Sequence, residues 1–304
     1  MIILKKTAAL ILLVLGAAFI VHTLVYLIPG DPAAAIAGEY ASADDIKTIR
    51  EELGLDKSFL VRYCFYVAEL SALNMGNSIY TGMPVLDTII DRFPATLILA
   101  FTSMMIAGFL GIALGIISAV YKDTAIDNMI LSISSIFISA PIFVTCFILL
   151  LIFSYYLNLL PPSGKAGLDP QYIILPSLAL ASRSLALIIR IARNELISVM
   201  KEDYIRTVRA LGFPNRKIIL VFALKNIIIP VLAVILLDFG AYLGGAVVTE
   251  SVFAWPGIGR LLIDSIFKRD IPVIQGVILT GTVLFLFIGF MLDILQNIIT
   301  RKAE

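Results

Sequence analysis

Histidine, cysteine and tryptophan are almost absent from this 304-residue chain, which contains one, two and one of them respectively. A built-in metal site needs several imidazole, thiolate or carboxylate ligands close together, and the single histidine, His22, lies in an apolar stretch. We therefore predict no metal site and interpret His22 as a packed or interfacial residue. Cys64 and Cys146 fall in different kinds of segment, so we expect no disulfide framework.

Charge is also scarce. Charged residues make up 15% of the chain, hydrophobic residues make up 60%, and the mean hydropathy is +1.00. Soluble domains have about 25% charged and about 45–50% apolar residues. A chain this apolar cannot cover itself with polar surface, which indicates a protein embedded in a lipid bilayer. The net charge of +1 excludes a strongly basic nucleic-acid binder, so we expect no nucleic-acid partner.

Catalytic signatures are missing as well. The sequence contains no Gly-x-x-x-x-Gly-Lys-Ser/Thr phosphate-binding loop and no nucleophile–base–acid set. These absences argue against an intramembrane hydrolase and against nucleotide hydrolysis by this chain. We predict that it is not an enzyme.

Six apolar stretches are each long enough to cross about 30 Å of hydrocarbon at about 1.5 Å per residue. The predicted fold class is therefore an all-α integral membrane protein. The first stretch is longer than the apolar run of about 7–15 residues in a signal peptide, so we interpret it as an uncleaved anchor. Pro141 is expected to bend the third. The predicted spans are residues 7–28, 95–120, 129–159, 172–191, 227–248 and 273–299.

Lysine and arginine are concentrated on one side of these spans. The long segment 30–92 carries ten acidic and five basic residues, whereas the loops on the other side are basic. Cytoplasmic loops carry the excess of lysine and arginine, so both termini are predicted to be cytoplasmic and the long segment to face outward. The predicted organisation is an anchor helix at 1–28, an extracytoplasmic helical segment at 29–93 and a core of five spans at 94–304.

The outer segment is predicted to be folded. Ser42 with Asp45 resembles a helix-capping pair, and Gly54 suits a helix stop. A second helix is predicted at about 58–73. The segment is equally compatible with a lid that packs on the bundle and with a docking surface for a partner.

A cytoplasmic loop at about 198–218 joins the fourth and fifth spans. The pattern predicts one helix from 194 to 211, a stop at Gly212 and a new turn after Pro214. Basic and apolar side chains along it suit insertion into a groove on a partner, although an ordinary basic loop remains the alternative. The residues predicted to contact the partner are Asp203, Tyr204, Arg206, Thr207, Arg209, Ala210, Gly212, Phe213 and Arg216.

Two charges lie deep in the predicted spans, Arg183 in the fourth and Asp238 in the fifth. A charge near the bilayer centre costs about 2.5–3.5 kcal/mol on insertion scales, so it faces a cavity or a partner. We hypothesise an ion pair between them, either as a clamp or as part of a pathway that touches a zwitterionic cargo. The small residues at 240–245 are the predicted seam with a second subunit.

The segment between the fifth and sixth spans contains the only tryptophan. Its aromatic residues and Pro-Gly turn are compatible with an interfacial anchor or with a hairpin that narrows the outer mouth, and we favour the hairpin. The residues assigned to this outer gate are Glu250, Phe253, Trp255, Pro256 and Gly257.

Motifs along nearly the whole chain resemble permease subunits of binding-protein-dependent ABC importers, in particular the dipeptide, oligopeptide and nickel branch. The similar segments are Pro-Gly-Asp-Pro at 29–32, Glu-Leu-Gly-Leu-Asp at 52–56, Met-Gly-Asn-Ser at 75–78, and the stretches 203–212, 224–230, 249–260 and 269–276. One departure matters. Arg206-Thr207-Val208 stands where the wider superfamily has Glu-Ala-Ala, so a glutamate-specific contact to the ATPase is not carried over.

The resemblance implies a multi-pass subunit of the prokaryotic inner membrane that forms a heterodimer with a second homologous permease. It also implies two ABC ATPase subunits, which bind ATP and Mg and receive the cytoplasmic loop, and an extracytoplasmic substrate-binding protein. No cofactor is expected in this chain. The cargo is left open between a small peptide and nickel, free or chelated. The alternative is a self-contained secondary transporter or channel, which would show an inverted repeat and several ionisable groups along one path.

Overall fold

The computed structural model describes residues 2–26, 33, 42–52, 56–163 and 170–301. Every regular element in these ranges is helical. The elements are α1 (Ile2–Tyr26), α2 (Ala43–Glu52), α3 (Phe59–Ser71), α4 (Val85–Val120), α5 (Ala125–Ser139), α6 (Ile142–Leu149) with a π-helical extension (Leu150–Tyr156), α7 (Pro170–Val199), α8 (Asp203–Ala210), α9 (Asn215–Lys217) with a π-helical extension (Ile218–Ala223), α10 (Leu224–Leu243), α11 (Val247–Val252), α12 (Ile258–Lys268) and α13 (Ile271–Arg301).

Five helical stretches in the described ranges are long and apolar enough to cross a membrane, and a bent pair supplies a sixth if its two halves count as one crossing. The five contain residues of α1, α4, α7, α10 and α13. The bent pair consists of α5 and of α6 with its extension. The predicted all-α, multi-span membrane fold is confirmed.

The third predicted span bends at Pro141, as expected, and the bend is sharp. Two separate helices meet there at an angle of 112°. Pro141 has no backbone N–H to donate and sterically pushes the preceding residue out of the helical region, so Ala140 adopts the extended values φ −73° and ψ 130°. The proline therefore ends one helix and starts another.

The other span boundaries shift because charged residues at a helix end can stay exposed while the helix continues. The second span begins at Val85 rather than at residue 95, with Asp87, Asp91 and Arg92 on its exposed side. The fourth continues to Val199, beyond its predicted end at 191. The predicted end of the first span at residue 28, the boundary at 28–29 and the stop at Gly54 lie outside the described residues.

Both helices predicted in the outer segment are present. Helix α2 begins at Ala43, directly after Ser42, and α3 covers most of the predicted 58–73. The chain divides into two compact units, one formed by Met1–Phe93 and Leu261–Phe287 and the other by Pro94–Arg260 and Ile288–Glu304. We call these the first and second units.

In the first unit, α3 packs on α1. The hydroxyl of Tyr63 donates to the carbonyl of Leu15 at 2.9 Å. His22 is buried among aromatic rings, with ring-centroid distances of 5.2 Å to Phe59 and 5.5 Å to Tyr66. The position of His22 agrees with its interpretation as a packed residue.

A buried carboxylate fixes the start of the last span in the same unit. Asp270 accepts a hydrogen bond from the Ser78 hydroxyl at 2.5 Å and one from the Ile79 N–H at 3.1 Å. Arg269, which precedes it, has a φ of +55°, so the chain turns sharply between α12 and α13. The carboxylate thus ties the loop before α4 to the turn before α13.

Helix α7 is the most buried of the five candidate spans and forms the centre of the second unit. It lies unusually close to α4 at Gly111 and Gly115. A Cβ atom on Gly115 would lie 2.7 Å from the Cβ of Ala192 and 2.8 Å from the carbonyl oxygen of Ile189. Small residues here let the two helix backbones approach each other, as in other membrane helix pairs.

The glycines of α10 also pack within this chain, although they were the predicted seam with a second subunit. A Cβ on Gly240 would lie 3.3 Å from Ile288 of the second unit. Gly245 packs against Gly259, where a Cβ would lie 2.8 Å from its Cα. These glycines thus mark close packing within the chain, and the seam with a second subunit stays a prediction.

An ion pair joins the start of α5 to the end of α7. Arg193 donates from Nε and Nη2 to the two oxygens of Asp127, at 2.8 and 2.6 Å. The Ser118 hydroxyl and the Asp123 N–H also donate to this carboxylate, at 2.5 and 3.0 Å. Asp127 is almost completely buried, so these four bonds replace its water shell.

Replacing Gly115 with alanine tests the close approach of α4 and α7. The added methyl group collides with a backbone carbonyl and with Ala192, so we expect Gly115→Ala to lower the free energy of unfolding by about 1–3 kcal/mol. Gly289→Ala is the matched control, because a Cβ there meets nothing within 4 Å. Both substitutions gain up to about 1 kcal/mol of helix propensity, so the difference in stability between the two variants reports the collision at residue 115. Equal midpoints of denaturation in detergent would contradict the packing.

Replacing Asp127 with asparagine tests the ion pair. The substitution removes the charge that compensates Arg193, and we expect a loss of about 3 kcal/mol in denaturation experiments. Asp123→Asn is the control, because its exposed side chain pairs with Lys122 at 3.5 Å on the surface and makes no hydrogen bond to Arg193 within the described residues. A loss of the same size in both variants would show that the buried pair has no special role.

Candidate functional site

The cytoplasmic loop contains a separate short helix. Helix α7 ends at Val199, and α8 begins at Asp203 after a turn, so the predicted continuous helix from 194 to 211 is wrong. The N–H groups of Lys201 and Glu202 donate back to the carbonyls of Ser198 and Val199, both at 3.0 Å. The tight turn lets α8 change direction and lie against the ends of the spans.

The inner face of α8 is fastened to the bundle by apolar contacts. Ile205 is fully buried in a core cluster with Ile218 and Ile227, and Val208 and Phe213 are packed against that cluster. The Phe213 ring lies 5.6 Å from the ring of Phe222. Phe213 was predicted to contact a partner, but its side chain packs largely inside the chain.

The outer face of α8 is exposed. Arg206 pairs with Asp203 at 3.2 Å on the surface, an interaction that contributes little to stability. Leu211 is 71% exposed, which leaves a large apolar side chain in reach of a partner. The exposed predicted contact residues are Asp203, Tyr204, Arg206, Thr207, Arg209, Ala210, Gly212 and Arg216.

A hydrogen bond links α8 to the start of the fifth span. The Asn226 side-chain amide donates to the Tyr204 hydroxyl at 2.8 Å. Burial raises the pKa of Tyr204 above its ordinary value, so the hydroxyl stays protonated at neutral pH. Sequence reasoning missed Asn226, because the pattern gives no sign that residues 22 positions apart meet.

Gly212 ends the helix as predicted. It has a φ of +83°, and its N–H donates to the carbonyl of Arg209 at 3.0 Å. A Cβ atom would meet nothing within 4 Å, so the glycine is required by the backbone conformation and not by lack of space. Pro214 then precedes α9, whose π-helical extension leads into α10.

The two deep charges do not form the predicted ion pair. Asp238 accepts a hydrogen bond from the Ser184 hydroxyl at 2.5 Å, and Ser184 lies 2.9 Å from the hydroxyl of Tyr242. Tyr242 donates to the carbonyl of Leu180 at 3.1 Å. The Arg183 side chain is exposed and makes no ion pair with Asp238. The carboxylate is thus held by the Ser184 hydroxyl, which Tyr242 contacts in turn, and sequence reasoning identified neither residue.

A buried glutamate organises the segment between the fifth and last spans. Glu250 is completely buried and accepts hydrogen bonds from the Thr96 hydroxyl at 2.8 Å and the Arg260 N–H at 3.0 Å. The Thr96 oxygen in turn accepts from the Ile258 N–H at 2.9 Å. Burial raises the pKa of Glu250, while these hydrogen bonds act in the opposite direction. The carboxylate holds α11 and the start of α12 together.

The aromatic residues of this segment are buried. Trp255 is 3% exposed and donates from Nε1 to the carbonyl of Ala95 at 2.9 Å, and Phe253 is 2% exposed. The interfacial-anchor alternative for Trp255 does not fit this burial. Pro256 and Gly257 form the turn, and a Cβ atom on Gly257 would collide with the Glu250 carboxylate. The five residues assigned to an outer gate thus share one compact helix–turn–helix.

The described part of the chain contains no group of three or more His, Cys, Asp or Glu side chains arranged to hold a metal ion. Both cysteines are free, with Cys64 exposed and Cys146 buried. The geometry therefore offers a surface helix fastened to membrane spans, a polar cluster within the spans and a tightly folded segment between the last two spans. None of these brings together the groups of a catalytic centre.

Known proteins match this chain along its length. Residues 111–304 match the family described as binding-protein-dependent transport system inner membrane component, and residues 1–100 match the N-terminal domain described for the same system. The glutathione transport system permease protein GsiC of Salmonella typhimurium is 39% identical over 293 residues, which cover 96% of this chain and 95% of the relative. GsiC of Escherichia coli has the same identity and coverage.

A solved structure shares the fold. A chain of the MetNI methionine ABC transporter, crystallised in inward-facing conformations, superposes with a TM-score of 0.56 at 19% sequence identity. The superposition covers 68% of this chain and 94% of the other. With a family match over most of the chain and relatives similar over nearly all of it, the protein belongs to the binding-protein-dependent inner-membrane transport components and is a multi-pass permease subunit of an ABC importer of the peptide and nickel branch.

Proposed function

We propose that this permease subunit carries a small peptide inward and that α8 couples the movement to ATP hydrolysis by partner subunits. The observation that carries the proposal is the division of α8 into two faces. Ile205 fastens one face to the bundle, and the basic and polar residues of the other face are exposed. A short helix with one fixed and one free face can transmit a push from a partner to the spans.

Three contacts give that push a route into the membrane. The apolar contacts of Ile205 reach the base of α10, and the Tyr204–Asn226 hydrogen bond reaches the same helix. Helix α7 ends only a turn before α8, and Arg193 ties that end to α5. Movement of α8 would thus move α7 and α10 together, which is how a small surface displacement becomes a switch between outward-open and inward-open states.

The proposed assembly contains this chain, a second homologous permease, two ABC ATPase subunits and an extracytoplasmic binding protein. ATP and Mg would be bound by the ATPase subunits, and this chain would hold no cofactor. The binding protein would dock on the outer segment, and the helix–turn–helix around Glu250 would act as the outer gate. Packing of Phe253 and Trp255 makes that segment rigid enough to move as one piece.

The proposed cargo is a small peptide. Relatives that are 39% identical over 96% of this chain are named for the transport of glutathione, which is a tripeptide. Nickel, free or chelated, is the other cargo to be tested. Uptake of labelled glutathione, an alanine dipeptide and nickel by the complete transporter, with its binding protein, separates these classes.

Reversing the charge of Arg209 tests the coupling role of the exposed face. We expect Arg209→Glu to abolish copurification of the ATPase subunits or to lower the transport per ATP hydrolysed by at least about tenfold, because a cation at the contact becomes an anion. Lys122→Glu, a charge reversal on another exposed loop, is the control. Normal coupling in Arg209→Glu, or ATP-independent uptake by the chain alone, would contradict the proposal.

Truncating Ile205 tests the fixed face separately. Ile205→Ala leaves the exposed face unchanged but removes buried contacts, at a cost of about 2–5 kcal/mol to the packing of α8. We expect the ATPase subunits to bind still, while hydrolysis proceeds with less transport per ATP. Leu211→Ala, which truncates an exposed side chain of similar size, should lower ATPase binding instead. Identical effects of the two variants would argue against a two-faced coupling helix.

A further inference from the structure

From Arg183 to its C-terminal end, the exposed side chains of α7 lie on one narrow strip. Although α7 is the most buried candidate span, Arg183, Leu187, Asn194 and Ser198 are exposed, and the half-buried Arg190 lies between them. Their spacing of three and four residues places them on one face of the helix. The strip is thus mostly polar and runs from the middle of the membrane toward the cytoplasmic end.

A polar strip at this depth does not face lipid. Arg183 lies about 18 Å along the helix from Gln171 and about 24 Å from Val199, and an arginine facing hydrocarbon there is strongly unfavourable. By contrast, a groove of about 830 Å³ formed by α4, α10 and the π-helical turn before it is lined by apolar side chains such as Phe109, Ile228 and Phe239. The second unit therefore has separate surfaces for apolar contact and for water.

Arg183 differs from the other arginine of the strip because its guanidinium group has no bonding partner among the described residues. Arg190 donates from Nη2 to the Ser135 hydroxyl at 2.7 Å, and Asn194 accepts a hydrogen bond from Arg193 at 3.3 Å. Within the described ranges, Arg183 has neither an ion pair nor a hydrogen bond. A guanidinium that is exposed inside a membrane protein and has no internal partner is available to an anionic ligand.

A fixed negative charge lies at the same level. Ser184 follows Arg183 in the chain and donates to Asp238 of α10, and Tyr242 supports Ser184 from one turn further along α10. Asp238 is half-buried and cannot swing freely. The two helices thus present a free positive group beside a held negative group, which complements a ligand that carries both charges.

We propose that Arg183 binds the carboxylate of the peptide cargo in transit, with Asp238 facing the ammonium group of the cargo. This assignment rests on the proposed function. A guanidinium binds a carboxylate through two parallel hydrogen bonds, which orients the cargo as well as attracting it. Arg183 then acts as a specificity-determining residue of the pathway. Water on the exposed side of the strip allows the cargo to leave again.

The test uses the complete transporter with its partner subunits in proteoliposomes. Uptake is measured for two pairs of labelled probes. One pair is an alanine dipeptide and the same dipeptide as its C-terminal amide, and the other is glutathione and its glycyl amide. The binding protein is loaded with each probe beforehand and added at equal concentration, so that its own preference does not enter. We expect the wild type to prefer the free acids by about tenfold, because one charged hydrogen-bonded contact is lost with the amide.

Arg183→Gln should bring the acid-to-amide ratio close to one while ATP hydrolysis is retained, and Arg183→Lys should keep part of the preference. Lys122→Gln removes an exposed cation far from the strip in sequence and should leave the ratio unchanged. A merely structural role of Arg183 would lower the uptake of acid and amide equally.

Three results would overturn the assignment. The acid preference could persist in Arg183→Gln, or that variant could fail to copurify with the second permease, which would place Arg183 at the seam between subunits. The wild type could also import nickel and neither peptide, which contradicts the proposed cargo and the Arg183 site together. If the wild type shows no ATP-dependent uptake of any probe, the proposed function itself is contradicted. That result needs no Arg183 variant, so it is distinguishable from failure of the Arg183 assignment.

Discussion

The close approach of α4 and α7 at Gly111 and Gly115 is the contact on which the second unit depends. It places α7 at the centre, where most of the helix is covered and one polar strip remains open between Arg183 and Ser198. The same helix carries Arg183 and the arginine that pairs with Asp127, and it ends a turn before α8. A change in the distance between the two backbones would therefore disturb a charge, an ion pair and the attachment of the surface helix at once.

In the described part of this otherwise apolar chain, hydrogen-bonded carboxylates perform the same task at four places, three of them buried and one half-buried. Asp127, Asp238, Glu250 and Asp270 each accept hydrogen bonds from a hydroxyl group, and three of them also accept from a backbone N–H. An apolar contact in a bilayer gives little directional preference, since lipid tails compete equally well. Hydrogen-bonded carboxylates supply that preference, because each has only a few geometries in which its oxygens are satisfied.

The helical nature of the spans, the outer helices α2 and α3 and the stop at Gly212 could be predicted from the sequence, because apolar length, capping and glycine are local signals. The bend at Pro141 was predicted but its angle of 112° was not, and the turn between α7 and α8 was missed, since the direction of the chain at both places depends on packing between distant segments. For the same reason the pattern did not reveal that Ser184 holds Asp238 or that Phe213 packs inward. Paired charges in a sequence show that compensation is needed, but they do not identify the compensating group.

The 112° bend at Pro141 has a consequence for sidedness. Neither half of the bent pair, at 15 residues or about 22 Å, is long enough to cross about 30 Å of hydrocarbon alone. If the pair turned back to its own side, the acidic segment after α1 and the basic helix α8 would share one face of the membrane. The topology predicted from the distribution of lysine and arginine places them on opposite faces, so it counts the bent pair as one crossing. In that topology Pro141 is the point at which the chain changes direction within a single crossing.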